Sequence, residues 1–219
     1  MNKISYFNVI GPVMIGPSSS HTAGAVRIGL AARAILEEGF HKINFKLYGS
    51  FAKTYKGHGT DKALIAGALG MMPHEERIKV ADDIAREMGI EVNFSEVQLA
   101  IAHPNTAIVE FWYPDGRIKS VQGVSLGGGQ IEIVKIDGQA VKILPGDPTL
   151  VLQYKDRKGV ISAVSTLLAK WDYNIETITN NRDEGFVTLV IILDKKLEQS
   201  CFEKIKGLGI FDHSSYVYF

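Results

Sequence analysis

The chain has 219 residues, of which 46% are hydrophobic and 22% charged, and its 24 basic and 24 acidic side chains give a formal net charge of +0. That length holds one large domain or two small ones, each with its own core, and the charge balance leaves no footprint for nucleic acid or an anionic membrane. No apolar run nears the roughly 20 residues that span a bilayer, and Met1–Phe7 lacks the charged-then-apolar plan of a signal peptide, so the cytoplasm is the expected compartment.

In chain order, Thr22 to Glu38 carries Val26, Leu30 and Ala34 on one stripe with Ile28 and Ile35 beside it, a helical period that Gly39 can stop. Lys42–Tyr48 alternates through Ile43, Phe45 and Leu47 and reads as a strand. Thr60–Leu69 is small and apolar and reads as a packed helix; Pro73–Met88 reads as another, with Gly89 after its end. From Glu91 to Val141 the chain reads as β-structure, with strands at 90–94, 106–113, 117–124 and 130–136 and a Pro114-Asp115-Gly116 hairpin turn.

Leu144-Pro145-Gly146-Asp147-Pro148 then breaks the pattern and divides the chain into domains at 1–145 and 149–219. Past the break come a strand (Leu150, Leu152, Tyr154), a helix (Gly159–Trp171) and a hairpin of Asn174–Asn180 and Gly185–Leu193 around Arg182-Asp183-Glu184. A second helix (Leu197–Leu208) and a last strand (Ser215–Phe219) complete the order β-α-β-β-α-β, a ferredoxin-like split unit. The fold class expected is α+β: a mixed α/β domain followed by this ferredoxin-like domain.

Chemistry concentrates at Gly16-Pro17-Ser18-Ser19-Ser20-His21-Thr22. Four hydroxyls and an imidazole gather where a helix begins, and the first N–H groups of a helix lack internal partners and carry partial positive charge. A cap needs one hydroxyl; four suit a small anion, most simply a carboxylate. His58 lies between Gly57 and Gly59, where backbone can approach closely. The only cysteine, Cys201, excludes an internal disulfide and a self-contained iron–sulfur cluster, which needs several thiolates; it reads as a small core residue. No histidine pair has a metal-ligand spacing, and His41, His74 and His213 read as surface or structural residues. His103, before Pro104, is either a turn residue or a contact to another chain. Lys53, Tyr55 and Lys56 form a small basic patch.

Gly11-Pro12, Gly16–Thr22, Gly57-His58-Gly59-Thr60-Asp61 and Gly127-Gly128-Gly129, in that order, resemble the β chains of bacterial iron–sulfur-dependent L-serine dehydratases (L-serine ammonia-lyases) over residues 1 to about 145. Residues 149–219 resemble an ACT domain, marked by Tyr154-Lys155-Asp156-Arg157-Lys158-Gly159-Val160-Ile161, with Lys158 where many such domains have proline.

The resemblance implies α,β-elimination of L-serine to pyruvate and ammonia. It implies a [4Fe–4S] cluster bound by cysteines of a separate α chain, where an iron with an open position acts as Lewis acid. No metal is expected in this chain, and no activity without the α chain. Ser18, Ser19, Ser20 and Thr22 would orient the substrate carboxylate, and His21 would add a donor or a proton-transfer group. His58 is the candidate base, its unperturbed pKa of roughly 6.5 suiting proton transfer near neutrality, although the residues by themselves do not choose between the histidines. Thr60 and Asp61 either cap the next helix or join the substrate site, Asp61 by orienting His58 or meeting the ammonium. Gly127, Gly128 and Gly129 are either a plain loop or a backbone surface for ligand or partner.

In the ACT-like part, a bound amino acid would set its carboxylate at Gly159-Val160 and its ammonium near Asp156 or Asn174, and side-by-side homodimerisation is expected. The competing reading is a non-catalytic serine-sensing module; a sensor has no use for a base. A Ser/His hydrolase is disfavoured by the lack of a Gly-x-Ser-x-Gly elbow.

Overall fold

The computed structural model describes residues 14–36 and 38–218. Gly11-Pro12, the leading Met1–Phe7 and the final Phe219 lie outside the described residues. The chain forms two compact units, 1–138 and 139–219.

In the first unit a π-helical turn, Ser19–Gly24, runs straight into α1 (Ala25–Ile35). Strand β1 (Lys42–Gly49) leads into the short α2 (Ser50–Thr54), and α3 (Thr60–Ala68) follows. Then come α4 (Ala81–Glu87) and β2 (Glu91–Glu96), followed by β3 (Asn105–Trp112), β4 (Ile118–Gly127) and β5 (Gln130–Ile136). These five strands lie in the order β2-β1-β3-β4-β5. Only β1 and β2 are parallel. Alternation sets the register: Ile43, Phe45, Leu47, Val109, Phe111, Ile131 and Ile133 all turn to one buried face.

Several expectations change. The first helix ends at Ile35, because Leu36 is already extended (φ −93°, ψ 160°). Of the expected stripe, Val26 is fully buried, as are Ile28 and Ile35 beside it, whereas Leu30 is half-buried and Ala34 exposed; Ala25, Ala31 and Ala32 complete the buried face. Pro73–Met88 is not one helix: a 3-10 turn, Glu76–Val80, precedes α4, and Val80 leaves helical backbone (φ −124°, ψ 23°) at their junction. The α2 turn was not anticipated. Helices α1 and α3 meet at Gly29 and Gly67, where neither side has room for a Cβ: at Gly67 it would lie 2.0 Å from the Val26 carbonyl oxygen.

The second unit opens with β6 (Gln139–Ile143), a strand the sequence reading did not separate out. It continues as β7 (Thr149–Lys155), α5 (Val160–Lys170), β8 (Ile175–Asp183), β9 (Phe186–Leu193), α6 (Gln199–Lys206) and β10 (His213–Val217). The sheet order β10-β7-β9-β8 is the ferredoxin-like arrangement expected from the β-α-β-β-α-β order. Both helices pack on one face: Val160, Val164, Leu168, Cys201 and Ile205 meet Leu150, Leu152, Leu189 and Ile191. Among the described residues no helix is long and apolar enough to cross a membrane.

Candidate functional site

The hydroxyl-rich segment is built around Ser18, which stays extended (φ −136°, ψ 124°) and caps the π-turn. Its Oγ accepts from the His21 backbone N–H at 3.1 Å, and its carbonyl accepts from Thr22 N–H at 2.8 Å. The far side of the turn is pinned to β4: the Ser125 hydroxyl donates to the Ser20 carbonyl at 3.0 Å. Gly24 makes this fit possible, since a Cβ there would lie 2.1 Å from Ser125 Oγ.

His21 and His58, 37 positions apart in sequence, are brought together with ring centroids 5.1 Å apart at 37°. The His21 ring is fixed on several sides. Its Nε2 is 3.1 Å from Ser50 Oγ, its Nδ1 is 3.5 Å from Ser18 Oγ, and Phe51 meets it edge-on at 5.2 Å. Burial first, and the neighbouring His58 second, lower the His21 pKa below its usual 6.5. His58 is exposed on the turn after α2, with Nδ1 3.4 Å from the Thr54 carbonyl oxygen. A carbonyl only accepts, so that contact places the proton of neutral His58 on Nδ1 and leaves the Nε2 lone pair free. Thr22 Oγ1 donates to the His58 carbonyl at 3.5 Å, tying the two segments.

A pocket of about 220 Å³ opens beside this pair, lined by Gly16, Pro17, Thr22, His58, Lys62 and Lys79 among others. Lys62 donates to the Lys79 carbonyl at 2.6 Å, which holds its ammonium near the pocket.

Other expected residues take different places. Thr60 and Asp61 do not cap α3: Gly59 holds the cap position and no side chain bonds there. Thr60 is fully buried with its Oγ1 unpartnered. Asp61 accepts from Lys62 N–H at 2.9 Å and lines a second pocket, of about 350 Å³, with Asp82, Arg86 and Phe94. Asp61 therefore does not line the His58 pocket. Gly128 and Gly129 form the tight β4–β5 turn after Gly127, the last residue of β4, and all three have positive φ (98°, 60° and 77° from Gly127 to Gly129) that side chains tolerate poorly. The turn is also held to the site helix: Arg27 Nη1 donates to the Gly129 carbonyl at 2.7 Å, and burial lowers the Arg27 pKa. Lys53 and Lys56 are exposed, as are His41 and His74. His103 shapes its own turn, its Nδ1 accepting from Asn105 N–H at 3.2 Å.

In the second unit, Asp156 and Gly159 sit at the N-terminal end of α5, where Arg182 pairs with Asp156 at 3.2 Å. Asn174 follows the other end of α5, its N–H on Asp194 Oδ1 at 3.0 Å. At 1.5 Å per residue the helix separates them by roughly 16 Å, too far for one amino acid to bridge Asp156 or Val160 with Asn174. Of the two ammonium positions expected, Asn174 is therefore removed, and Asp156, at the same end of α5 as Gly159 and Val160, is the one that stays.

The sequence reading missed Ser50 and Lys62. Ser50 had a faint signal, a serine directly after the glycine that ends a strand; Lys62 had none apart from following Asp61.

A family model for the serine dehydratase beta chain matches residues 5–95. The L-serine dehydratase beta chain of Peptoniphilus asaccharolyticus is 41% identical over 220 aligned residues, covering 99% of this chain and 99% of that protein. The probable L-serine dehydratase beta chain of Bacillus subtilis is 39% identical over 210, covering 95% of each. Among solved structures, the ACT domain of a GTP pyrophosphokinase from Chlorobium tepidum matches 32% of this chain and 84% of that chain at 19% identity and a TM-score of 0.28, which adds nothing to the topology described above. Matched end to end by relatives of its own length, the chain belongs to the L-serine dehydratase beta-chain family.

Proposed function

We propose that this chain is one half of an L-serine dehydratase: it binds L-serine and removes its Cα proton, and a separate α chain holds the [4Fe–4S] cluster and completes the site. The observation that carries this reading is the His21–His58 pair beside a hydroxyl-bearing helix start, in a chain similar over its full length to proteins named L-serine dehydratase beta chain.

Cys201 is fully buried in the second unit, and no three His, Cys, Asp or Glu side chains gather to hold a metal among the described residues. This chain's residues therefore do not fit the cluster, and none of its own steps is routed through it. Its ligands belong, in this reading, to the α chain.

His58 Nε2 acts as the base. The reaction breaks Cα–H, forms the Cα–Cβ double bond and expels the β-hydroxyl; the aminoacrylate product then hydrolyses to pyruvate and ammonia. Burial and the neighbouring His58 lower the pKa of His21, so its role in this reading is to stand neutral beside His58. A neutral neighbour does not repel the proton that His58 gains. The hydroxyls of Ser18–Ser20 receive the carboxylate, next to the pocket that Thr22, His58 and Lys62 line; the Thr22 hydroxyl already donates to the His58 carbonyl. The ACT-like unit pairs two such chains.

The test is anaerobic pyruvate formation from L-serine by this chain with a cluster-bearing α chain and by each alone. Activity in the mixture only is expected, and His58→Gln should lower kcat by roughly 10²- to 10⁴-fold. A His58→Gln mixture as fast as wild type would remove His58 as base. No activity in any mixture would favour the serine-sensing alternative.

A further inference from the structure

Ser50 stands in none of the sequence motifs, yet its hydroxyl is the nearest polar partner of His21 Nε2, at 3.1 Å. Its backbone is held from both sides. The Ser50 N–H donates to the Pro104 carbonyl at 2.8 Å, and the Thr54 hydroxyl donates to the Ser50 carbonyl at 2.8 Å. The preceding Gly49 adopts φ 62°, ψ −123°, a region essentially reserved for glycine, and a Cβ there would lie 2.7 Å from the Pro104 carbonyl oxygen. The frame that turns β1 into α2 thus fixes where the Ser50 hydroxyl points.

We propose that Ser50 is a positioning residue: through its hydrogen bond to His21 Nε2 it holds that ring in one orientation beside His58. This rests on the reading of His58 as the base. The ring has two nitrogens to satisfy, and Ser18 reaches only Nδ1, at a long 3.5 Å. Without Ser50, Nε2 loses its partner, and the ring is left to the long Ser18 contact, the edge contact with Phe51 and His58 itself. A serine hydroxyl can donate or accept, so it anchors Nε2 in place whichever ring nitrogen carries the proton.

The experiment has two arms. In the isolated full-length chain, ¹⁵N shifts of the histidine side chains report the protonation and hydrogen bonding of each ring nitrogen. The His21 Nε2 shift should move in Ser50→Ala, where that nitrogen loses its hydrogen bond, and Ser50→Thr, which keeps the hydroxyl, should restore the wild-type value. In the mixture with the α chain, Ser50→Ala should lower kcat by up to roughly 100-fold, the cost of misplacing a site group by about 1 Å, with KM unchanged and Ser50→Thr recovering most of it. Unmoved His21 shifts in Ser50→Ala overturn the proposal, whatever happens to turnover. So does a loss of turnover that Ser50→Thr leaves in place while the shifts return. If the wild-type mixture forms no pyruvate, the dehydratase reading fails and takes the catalytic half of the proposal with it; the shifts still decide whether Ser50 holds His21.

Discussion

Gly67→Ala tests how tightly the fold ties the two site segments together. In wild type α1, which continues from the His21 turn, crosses α3, which begins two residues after His58. At Gly67 an added Cβ would lie 2.0 Å from the Val26 carbonyl oxygen and 2.9 Å from Leu30 N, against 3.4 Å for ordinary contact. The shortfall of about 1.4 Å falls on helix backbone, which cannot rotate aside, so the helices must part. Overpacking of this kind costs about 3 kcal/mol at the upper end of its usual range. Alanine in place of glycine in a helix returns about 1 kcal/mol of propensity. The net loss is about 2 kcal/mol, a fall in Tm of roughly 4–8 °C for a chain of this size. Circular dichroism melting of the two proteins measures it, and pyruvate formation with the α chain should fall too as His21 and His58 are drawn apart. If propensity alone operated, Tm would rise by roughly 2–4 °C; an unchanged or raised Tm would refute the close-contact argument.

The lowered pKa of His21 gives a stability signature with a definite sign. Folded His21 binds its proton less readily than unfolded His21, so the stability it contributes is complete above pH 6.5 and is lost as pH falls from there through the lower folded value. Melting across that window should show Tm falling with pH less steeply in His21→Gln than in wild type; equal slopes would mean the ring titrates normally. Cys201 is buried, and burial pushes its thiol pKa up, so it should resist a thiol reagent in native buffer and react only as urea unfolds the second unit. Fast native labelling would show that this core opens.

The second unit was nearly complete in the sequence, because a small sheet with helices on one face declares itself locally. Leu150, Leu152 and Tyr154 alternate, Val160, Val164 and Leu168 recur at helical spacing, and each pattern is cut by its own turn. Strand β6 was missed although Asp137-Gly138 before Val141 and Ile143 is hairpin chemistry. The Pro73–Met88 segment was misjudged for the opposite reason: its apolar spacing suits a helix, and the break at Val80 leaves no mark in a period.

The sequence by itself determined the chemical inventory of the site: Ser18–Thr22, His21 and His58 are unusual as strings of residues, whatever they later touch. It also determined, through one cysteine, that this chain can offer a cluster no more than one thiolate. Only the tertiary structure decided which of these residues meet. His21 faces His58 because glycines at 29 and 67 let two helices touch backbone to backbone, and Ser50 reaches His21 because the Gly49 turn lies against Pro104. Asp61 and Asn174 dropped out of their expected sites for the same reason: neighbours in sequence can face different pockets, and the two ends of one helix lie far apart. Local pattern records what a segment wants to become; distances between segments are set by packing, which no single segment encodes.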